Sequence, residues 1–352
     1  SVVRLTGSVE FWPEYMAQNN ERRPVQYVIV LDVSGSMNAN FAGRGKNGNQ
    51  VCNIDGPPTP GISQCSGEPW FAWTPLEERR IYVAKEALKL LVRQTNMPGN
   101  PGYDPRIPND QMAVVWFTHE VPPGYVQSFT DNVNTLITAI HNANASDAWG
   151  PYQPKGGTNG TGGLYRAYNL IKNAASTTNH QGREWVYRRV IIYITDGVTN
   201  NFFSASKPNL RERSSNKATY PDNSPCHHNA VLDDAPCQTT EVGGKYNGMD
   251  RPITQMVNMA MAIKSDQAAQ TDIYVLAIAD IPETGLKAGV ATTPNHYYQV
   301  TTLERGSDGL NNVDRIMMAI NDQVERGPCI SGNDGEWRGT IPSNHFQSVN
   351  GL

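Results

Sequence analysis

Residues 25–37 read VQYVIVLDVSGSM, an apolar run that breaks into three side chains bearing oxygen, Asp32, Ser34 and Ser36. Val28, Ile29, Val30 and Leu31 follow one another with no polar residue between them, the pattern of a strand covered on both faces in a parallel sheet. Gly35 gives the turn that follows the freedom to bring the three oxygens together above the strand's C-terminal end. One carboxylate and two hydroxyls are hard donors of low charge. They suit Mg2+ or Mn2+ rather than Zn2+, and Ca2+ takes the same oxygens. Three ligands do not complete an octahedron, so this reading demands further oxygens from distant loops.

Two later stretches offer them. Residues 155–171, KGGTNGTGGLYRAYNLI, place Thr158 in a Gly-rich loop ahead of a helix, and residues 186–200, VYRRVIIYITDGVTN, form a second buried strand ending on Asp196 and Gly197. A DxSxS turn alone, or TDG alone, is ordinary strand-end chemistry. The three motifs in this order are far more specific than any one of them. Together they resemble the von Willebrand factor A domain, whose metal-ion-dependent adhesion site is built from five such positions, and the resemblance runs over roughly residues 25–326. It implies a doubly wound, mainly parallel α/β sheet of Rossmann-like type. It further implies that Ser34, Ser36 and Thr158 hold a divalent cation directly, that Asp32 and Asp196 act largely through water, and that one coordination position is left open for an acidic group of a partner protein.

The rest of the chain alternates strands and helices, as a doubly wound sheet requires. Strands are expected at 112–119, 126–129, 272–279 and 296–300, and helices at 75–95, 131–143, 161–175, 252–270 and 308–325. The first helix carries the clearest signals: Thr74 as cap, Pro75 in the first turn, Glu77 and Glu78 at the positive end of the dipole, and Ile81, Ala84, Leu88 and Leu91 on one face. Three parts follow: an N-terminal strand and connection over 1–24, the domain itself over 25–326, and a tail over 327–352. Val3, Leu5, Val9 and Phe11 alternate with polar residues in the first part. Two long insertions, 38–74 and 198–250, leave strand ends on the metal edge, where ligands of open α/β sheets bind. Trp70, Trp73, Trp149 and Tyr152 are the candidate aromatic anchors for a partner there, although for Trp70 and Trp73 pinning of their own long loop is the favoured reading.

The five cysteines contain no CxxC. Cys52 with Cys65 and Cys226 with Cys237 fall as local pairs inside the insertions, where a loop without a core gains most from a disulfide, on the order of 3 kcal/mol each. Cys329 is left over. Cys226, His227, His228, Asp233 and Cys237 could be read as a zinc loop, but adjacent histidines fit tetrahedral coordination poorly. The disulfides imply an oxidising compartment, hence an extracellular, cell-surface or periplasmic protein.

A net charge of −4 gives no reason to expect nucleic acid. No apolar run approaches the ~20 residues that span a bilayer, so no membrane span is expected, and Ser1 in place of an initiator Met leaves trimming of an N-terminal segment open. Three functions compete. A binding module needs only the metal and a partner carboxylate. A metal-dependent hydrolase needs a general base, for which His119 is the candidate, and no such base motif sits by the metal turns, so an enzyme is not expected. A cytosolic adaptor of an AAA+ ATPase or chelatase, a role some von Willebrand A proteins fill, would not carry disulfide-bearing insertions. Within the first class the chain looks similar to bacterial surface and Tad-type pilus-associated proteins of this family, through VIVLDVSGSM and the late strand around Pro294–Tyr298.

Overall fold

In the computed structural model the described residues are 22–47, 50–53, 60–63, 65, 75–119, 121–122, 124–144, 151–152, 156–197, 199, 241–242, 245–246, 252–279 and 285–326. Cys226, Cys237, Cys329, Trp70, Trp73, Trp149, His227, His228, Asp233 and the strand expected at 1–12 lie outside them, as does the tail.

The molecule is built on β1 (Val25–Asp32), every residue of which is buried. Next come a hairpin of β2 (Arg44–Asn47) and β3 (Gln50–Asn53), then α1 (Arg80–Gln94), β4 (Gln111–Phe117), β5 (Val126–Thr130), α2 (Val133–Asn142) and α3 (Gly160–Asn173). A second hairpin, β6 (Thr177–His180) and β7 (Arg183–Val186), leads into β8 (Arg188–Thr195). The short strands β9 (Glu241–Val242) and β10 (Lys245–Tyr246), then α4 (Pro252–Ser265), β11 (Thr271–Ala277), β12 (Tyr297–Gln299) and α5 (Asn312–Arg326) complete the order. The main sheet runs β12-β11-β8-β1-β4-β5. All its pairings are parallel except the last, where β5 runs antiparallel to β4. This is the expected doubly wound, mainly parallel architecture.

Alternation along β1 divides the core between two faces. Tyr27, Ile29 and Leu31 pack with Ile81, Ala84, Leu88 and Leu91 of α1, with Leu136 and Ile140 of α2, and with Val313, Met317 and Ile320 of α5. Val28 and Val30 face Leu164, Ala167 and Ile171 of α3 and Met256, Met259 and Ile263 of α4. A strand with helices on both sides cannot afford polar positions on either, which is why the run in β1 is continuous. Gly163 lets α3 come close to the sheet, since a Cβ there would lie 2.8 Å from atoms of both Phe117 and Val30.

The N-terminal end of the sheet is fastened by Asp110. Its carboxylate, which is fully buried, accepts from the backbone N–H of Val25 at 2.8 Å and of Asn96 at 2.7 Å, and takes both Nη atoms of Arg22 at 3.1 and 2.6 Å. Burial opposes the Arg22 charge, but Asp110 and Glu325 more than offset that and hold the guanidinium pKa above its ordinary value.

Several boundaries differ from expectation. The helix expected from 75 is in two pieces: residues Leu76–Glu78 form a 3-10 turn after Pro75, and α1 begins only at Arg80. Pro75 and the two glutamates are good first-turn residues, but the chain must bend at Arg79 to pair with Asn40 across an isolated bridge. The strand expected to 119 stops at Phe117, because the backbone of Thr118 is used to hold another loop, described below. α4 and β11 both end earlier than expected, at Ser265 and Ala277. The β6–β7 hairpin was not expected. Its turn places Gln181 at φ 51° and Gly182 at φ 77°, the paired positive values of a type I′ hairpin turn.

Within the first insertion, Cys52 and Cys65 form the expected disulfide, with their Cα atoms 4.9 Å apart. The insertion also closes on itself: Asn40 bridges Arg79, and Arg80 N–H donates to the carbonyl of Ala39 at 3.0 Å. The chain therefore returns beside the turn it left, and this positions the start of α1.

Candidate metal centre

Parallel register creates the site. Leu31 of β1 lies opposite Ile194 of β8, so Asp32 falls beside Thr195 and the next residue of β8's chain is Asp196. Asp32 also lies opposite Phe117 at the end of β4. Three neighbouring strands thus end together, and each sends its next residues into one place at the C-terminal edge.

Asp32 is fully buried. Its Oδ1 accepts the Ser34 backbone N–H at 2.8 Å and its Oδ2 accepts the Thr195 hydroxyl at 2.7 Å. Ser34 Oγ and Ser36 Oγ are 3.2 Å apart, and Ser36 Oγ donates to Asp196 Oδ1 at 2.7 Å. Four of the five expected ligand residues are therefore joined by hydrogen bonds, Asp32 to Ser34 through the Ser34 backbone N–H and Ser34 through Ser36 to Asp196 by side-chain oxygens. Thr158 arrives on a loop fixed to the same turn: Gly35 N–H donates to Gly156 O at 2.9 Å, and Asn159 N–H donates to Thr118 O at 2.7 Å. The Thr199 hydroxyl closes the other side, donating to Thr158 O at 2.9 Å and accepting from Gly160 N–H at 3.1 Å. Asn159 caps α3 by accepting from Gly162 N–H.

The donor set fits a small hard cation. Ligand oxygens in adjacent positions of an octahedron at Mg2+ distances stand about 3 Å apart, and the two serine hydroxyls are separated by 3.2 Å. Burial first, and the charge of Asp196 second, push the Asp32 carboxyl up to about 7, while hydrogen bonds from Thr195 and Ser34 pull the other way. Two carboxylates so placed favour a compensating positive charge. Among the described residues no three His, Cys, Asp or Glu side chains gather; the oxygens at this turn are carboxylates and hydroxyls, hard donors of the kind Mg2+ and Mn2+ take.

One functional residue escaped the sequence reading. Arg80, 1% exposed, donates from Nη1 to Asp196 Oδ2 at 2.9 Å. It sits more than a hundred residues from Asp196 in the chain. Only the closure of the first insertion at Asn40 and Arg79 brings it here, and nothing local signals that closure.

Tyr152 corrects an expectation. It is pinned rather than offered to a partner: its ring lies 5.2 Å from that of Tyr82, its hydroxyl accepts from Lys89 at 3.3 Å, and its carbonyl accepts from Arg79 at 3.1 Å. The same stretch is held by Lys85, whose buried Nζ donates to the carbonyls of His141 at 2.8 Å, of Ala143 at 2.6 Å and of Pro151. Burial first, and the charge of Lys89 second, push the Lys85 pKa down to about 7, against the opposing pull of Glu86.

His119 lies beside the loop that carries Thr158. Its Nδ1 pairs with the Thr118 hydroxyl at 2.9 Å, and its ring lies against Gly156. Gly156 has φ +88°, and a Cβ there would collide with both the His119 ring and the Thr118 hydroxyl. Gly156→Ala is therefore expected to destabilise the fold by about 1–3 kcal/mol through strain alone, and to shift the loop that carries Thr158. Urea unfolding measures the first effect, and weaker uptake of Mn2+ by the folded variant the second.

Residues 69–198 match the sequence model of the family described as von Willebrand factor type A domain. That span includes Thr158 and Asp196 and begins after Asp32, Ser34 and Ser36, from which the first insertion separates it. Among curated proteins no sequence matches the chain. Solved structures similar to it include the vWF domain of the type V pili tip protein Mfa5 from Porphyromonas gingivalis, with 16% identity and a TM-score of 0.45 over 87% of this chain and 98% of that one. The PilB minor pilin from Streptococcus sanguinis shows 13% identity and a TM-score of 0.47 over 87% of this chain and 62% of that one. The pilus adhesin RrgA from Streptococcus pneumoniae shows 12% identity and a TM-score of 0.43 over 86% of this chain and 45% of that one. The chain thus spans less than two thirds of the last two.

Proposed function

We propose that this chain is an extracellular or cell-surface adhesion module, of the kind carried by bacterial pili, that holds a divalent cation and binds an acidic side chain of a partner protein through it. The observation that carries the proposal is the hydrogen-bonded cluster of Asp32, Ser34, Ser36 and Asp196, assembled from two strands ending side by side. Ser34, Ser36 and Thr158 would hold Mg2+, or Mn2+ or Ca2+ in its place, with Asp32 and Asp196 behind them. When bound, the cation supplies an electrophilic position that a carboxylate can fill. The chain's own residues do the rest: Thr195 and the Ser34 backbone orient Asp32, and Gly35 and Gly156 fasten the two loops to each other.

The Cys52–Cys65 disulfide supports an oxidising location and weighs against a cytosolic adaptor of an ATPase or chelatase. Among the described residues no helix is long and apolar enough to cross a membrane.

The proposal is tested with an array of peptides, each displayed in an Asp or Glu form and in the matched Asn or Gln form, probed with the whole chain in Mg2+ or in EDTA. Binding confined to carboxylate forms in Mg2+, and weakened by Thr158→Ala, is the expected result. Equal binding to the amide forms, or binding that survives EDTA, excludes it.

A further inference from the structure

Arg80 has a place in the site that the oxygen ligands alone do not explain. Among the partners of Asp196 are two at its two oxygens: Oδ1 takes the Ser36 hydroxyl at 2.7 Å, and Oδ2 takes the Arg80 guanidinium at 2.9 Å. Both side chains of the pair are essentially inaccessible, at 1% and 0% exposure. A guanidinium cannot lose its proton in a folded protein, so this positive charge is permanent. Its position is enforced by the backbone. Arg80 is the first residue of α1, its N–H is held by Ala39 O, and Ala39 N–H in turn is held by Ser36 O within the ligand turn itself. The cation and the hydroxyls are thus parts of one rigid unit.

With both carboxylates ionised, Asp32, Asp196 and Arg80 together carry a single negative charge. A divalent cation reverses that to a single positive charge, whereas without Arg80 the loaded site would be neutral. We infer that Arg80 sets the charge of the site: it holds down the affinity for the cation and in return keeps the loaded site positive, so that an anionic group is drawn to it. The inference rests on the cluster being a divalent-cation site. It adds a residue that touches neither the ion nor the partner and yet determines which chemistry the site accepts. A purely structural role for Arg80, neutralising Asp196 to keep the fold together, would leave carboxylate selectivity untouched.

The test uses the whole chain with Mn2+ alone as the first probe, read from the free-ion electron paramagnetic resonance signal, and acetate as the second, read from relaxation of its methyl protons by protein-bound Mn2+. A unit charge one carboxylate away from a divalent ion changes its affinity roughly tenfold even at a dielectric near that of water. Arg80→Gln is therefore expected to bind Mn2+ roughly tenfold more tightly than wild type and acetate several-fold more weakly, while Arg80→Lys, which keeps the charge, stays within about threefold of wild type on both. A folded Arg80→Gln variant with unchanged or weaker Mn2+ affinity overturns the inference. If that variant does not fold, Arg80→Met, which removes the charge and keeps the aliphatic stem, is measured in its place: the same roughly tenfold gain in Mn2+ affinity is expected, and an unchanged or weaker affinity overturns the inference. Failure of wild type to take up Mn2+ at all removes the metal-site reading and the inference together, whereas uptake by wild type without the charge effect removes the inference alone.

Discussion

Asp196→Ala is expected to lower the stability of the chain in EDTA by about 3–5 kcal/mol, the cost of stripping the partner from a buried charge. The side chain of Arg80 is 1% exposed, and its Nη1 would face a cavity where Asp196 Oδ2 now lies at 2.9 Å. The Ser36 hydroxyl loses its acceptor in the same substitution. Asp196→Asn should cost distinctly less, because the amide oxygen still accepts from one of these donors. Urea unfolding at unchanged slope measures both. A loss below about 1 kcal/mol for the alanine variant, the range of an exposed ion pair, would mean that Arg80 escapes to water, and with it the rigid unit described for the site.

Asp110→Ala is expected to cost a similar amount, about 3–5 kcal/mol, for a different purpose. This carboxylate sits at the opposite end of β1 from the metal turn. It holds the backbone of Val25 and Asn96 and the guanidinium of Arg22, which in turn reaches Glu325 of α5 at 2.8 Å. Its loss leaves buried N–H groups without their acceptor and an Arg without its main counter-charge. Because the two ends of the sheet are separated by the length of β1, the folded fraction of this variant should bind Mn2+ with wild-type affinity. The two substitutions therefore separate stability from site chemistry: Asp110→Ala changes the first alone, Asp196→Ala both.

The parts of the molecule legible in the sequence are those written in contiguous residues. The buried run of β1 needs no partner to be recognised, because burial on both faces removes every polar position from Val28 to Leu31. Asp32, Ser34 and Ser36 follow it within one turn, and Thr158 and Asp196 each stand at a marked boundary, a Gly-rich helix start and a strand end. The local disulfide was legible for the same reason, since Cys52 and Cys65 close a short loop. What was not legible depends on tertiary return. Arg80 looked like one more polar residue at the start of a helix, and its role exists only because the first insertion comes back to Ala39 and Asn40. Asp110 and Lys85 are likewise buried charges whose partners lie on other segments. Tyr152 read as a free aromatic on a loop because nothing in its own stretch announces Tyr82, Lys85 and Lys89 of α1 beneath it. The helix start was misplaced because Pro75, Glu77 and Glu78 serve a 3-10 turn as well as they serve an α-helix.

The central claim is that Asp32, Ser34, Ser36, Thr158 and Asp196 form one divalent-cation site, and thermal melting tests it most directly. Ligands from three separate segments are brought together only in the folded chain, so a bound cation must stabilise it, by about 2.7 kcal/mol at a hundredfold excess over its dissociation constant. Melting of the whole chain is compared in EDTA, Mg2+, Mn2+ and Ca2+, alongside Asp32→Ala under the same conditions. A midpoint that rises with Mg2+ or Mn2+ concentration in wild type and stays flat in Asp32→Ala is the predicted result, and identical melting of wild type in all four solutions would contradict the account.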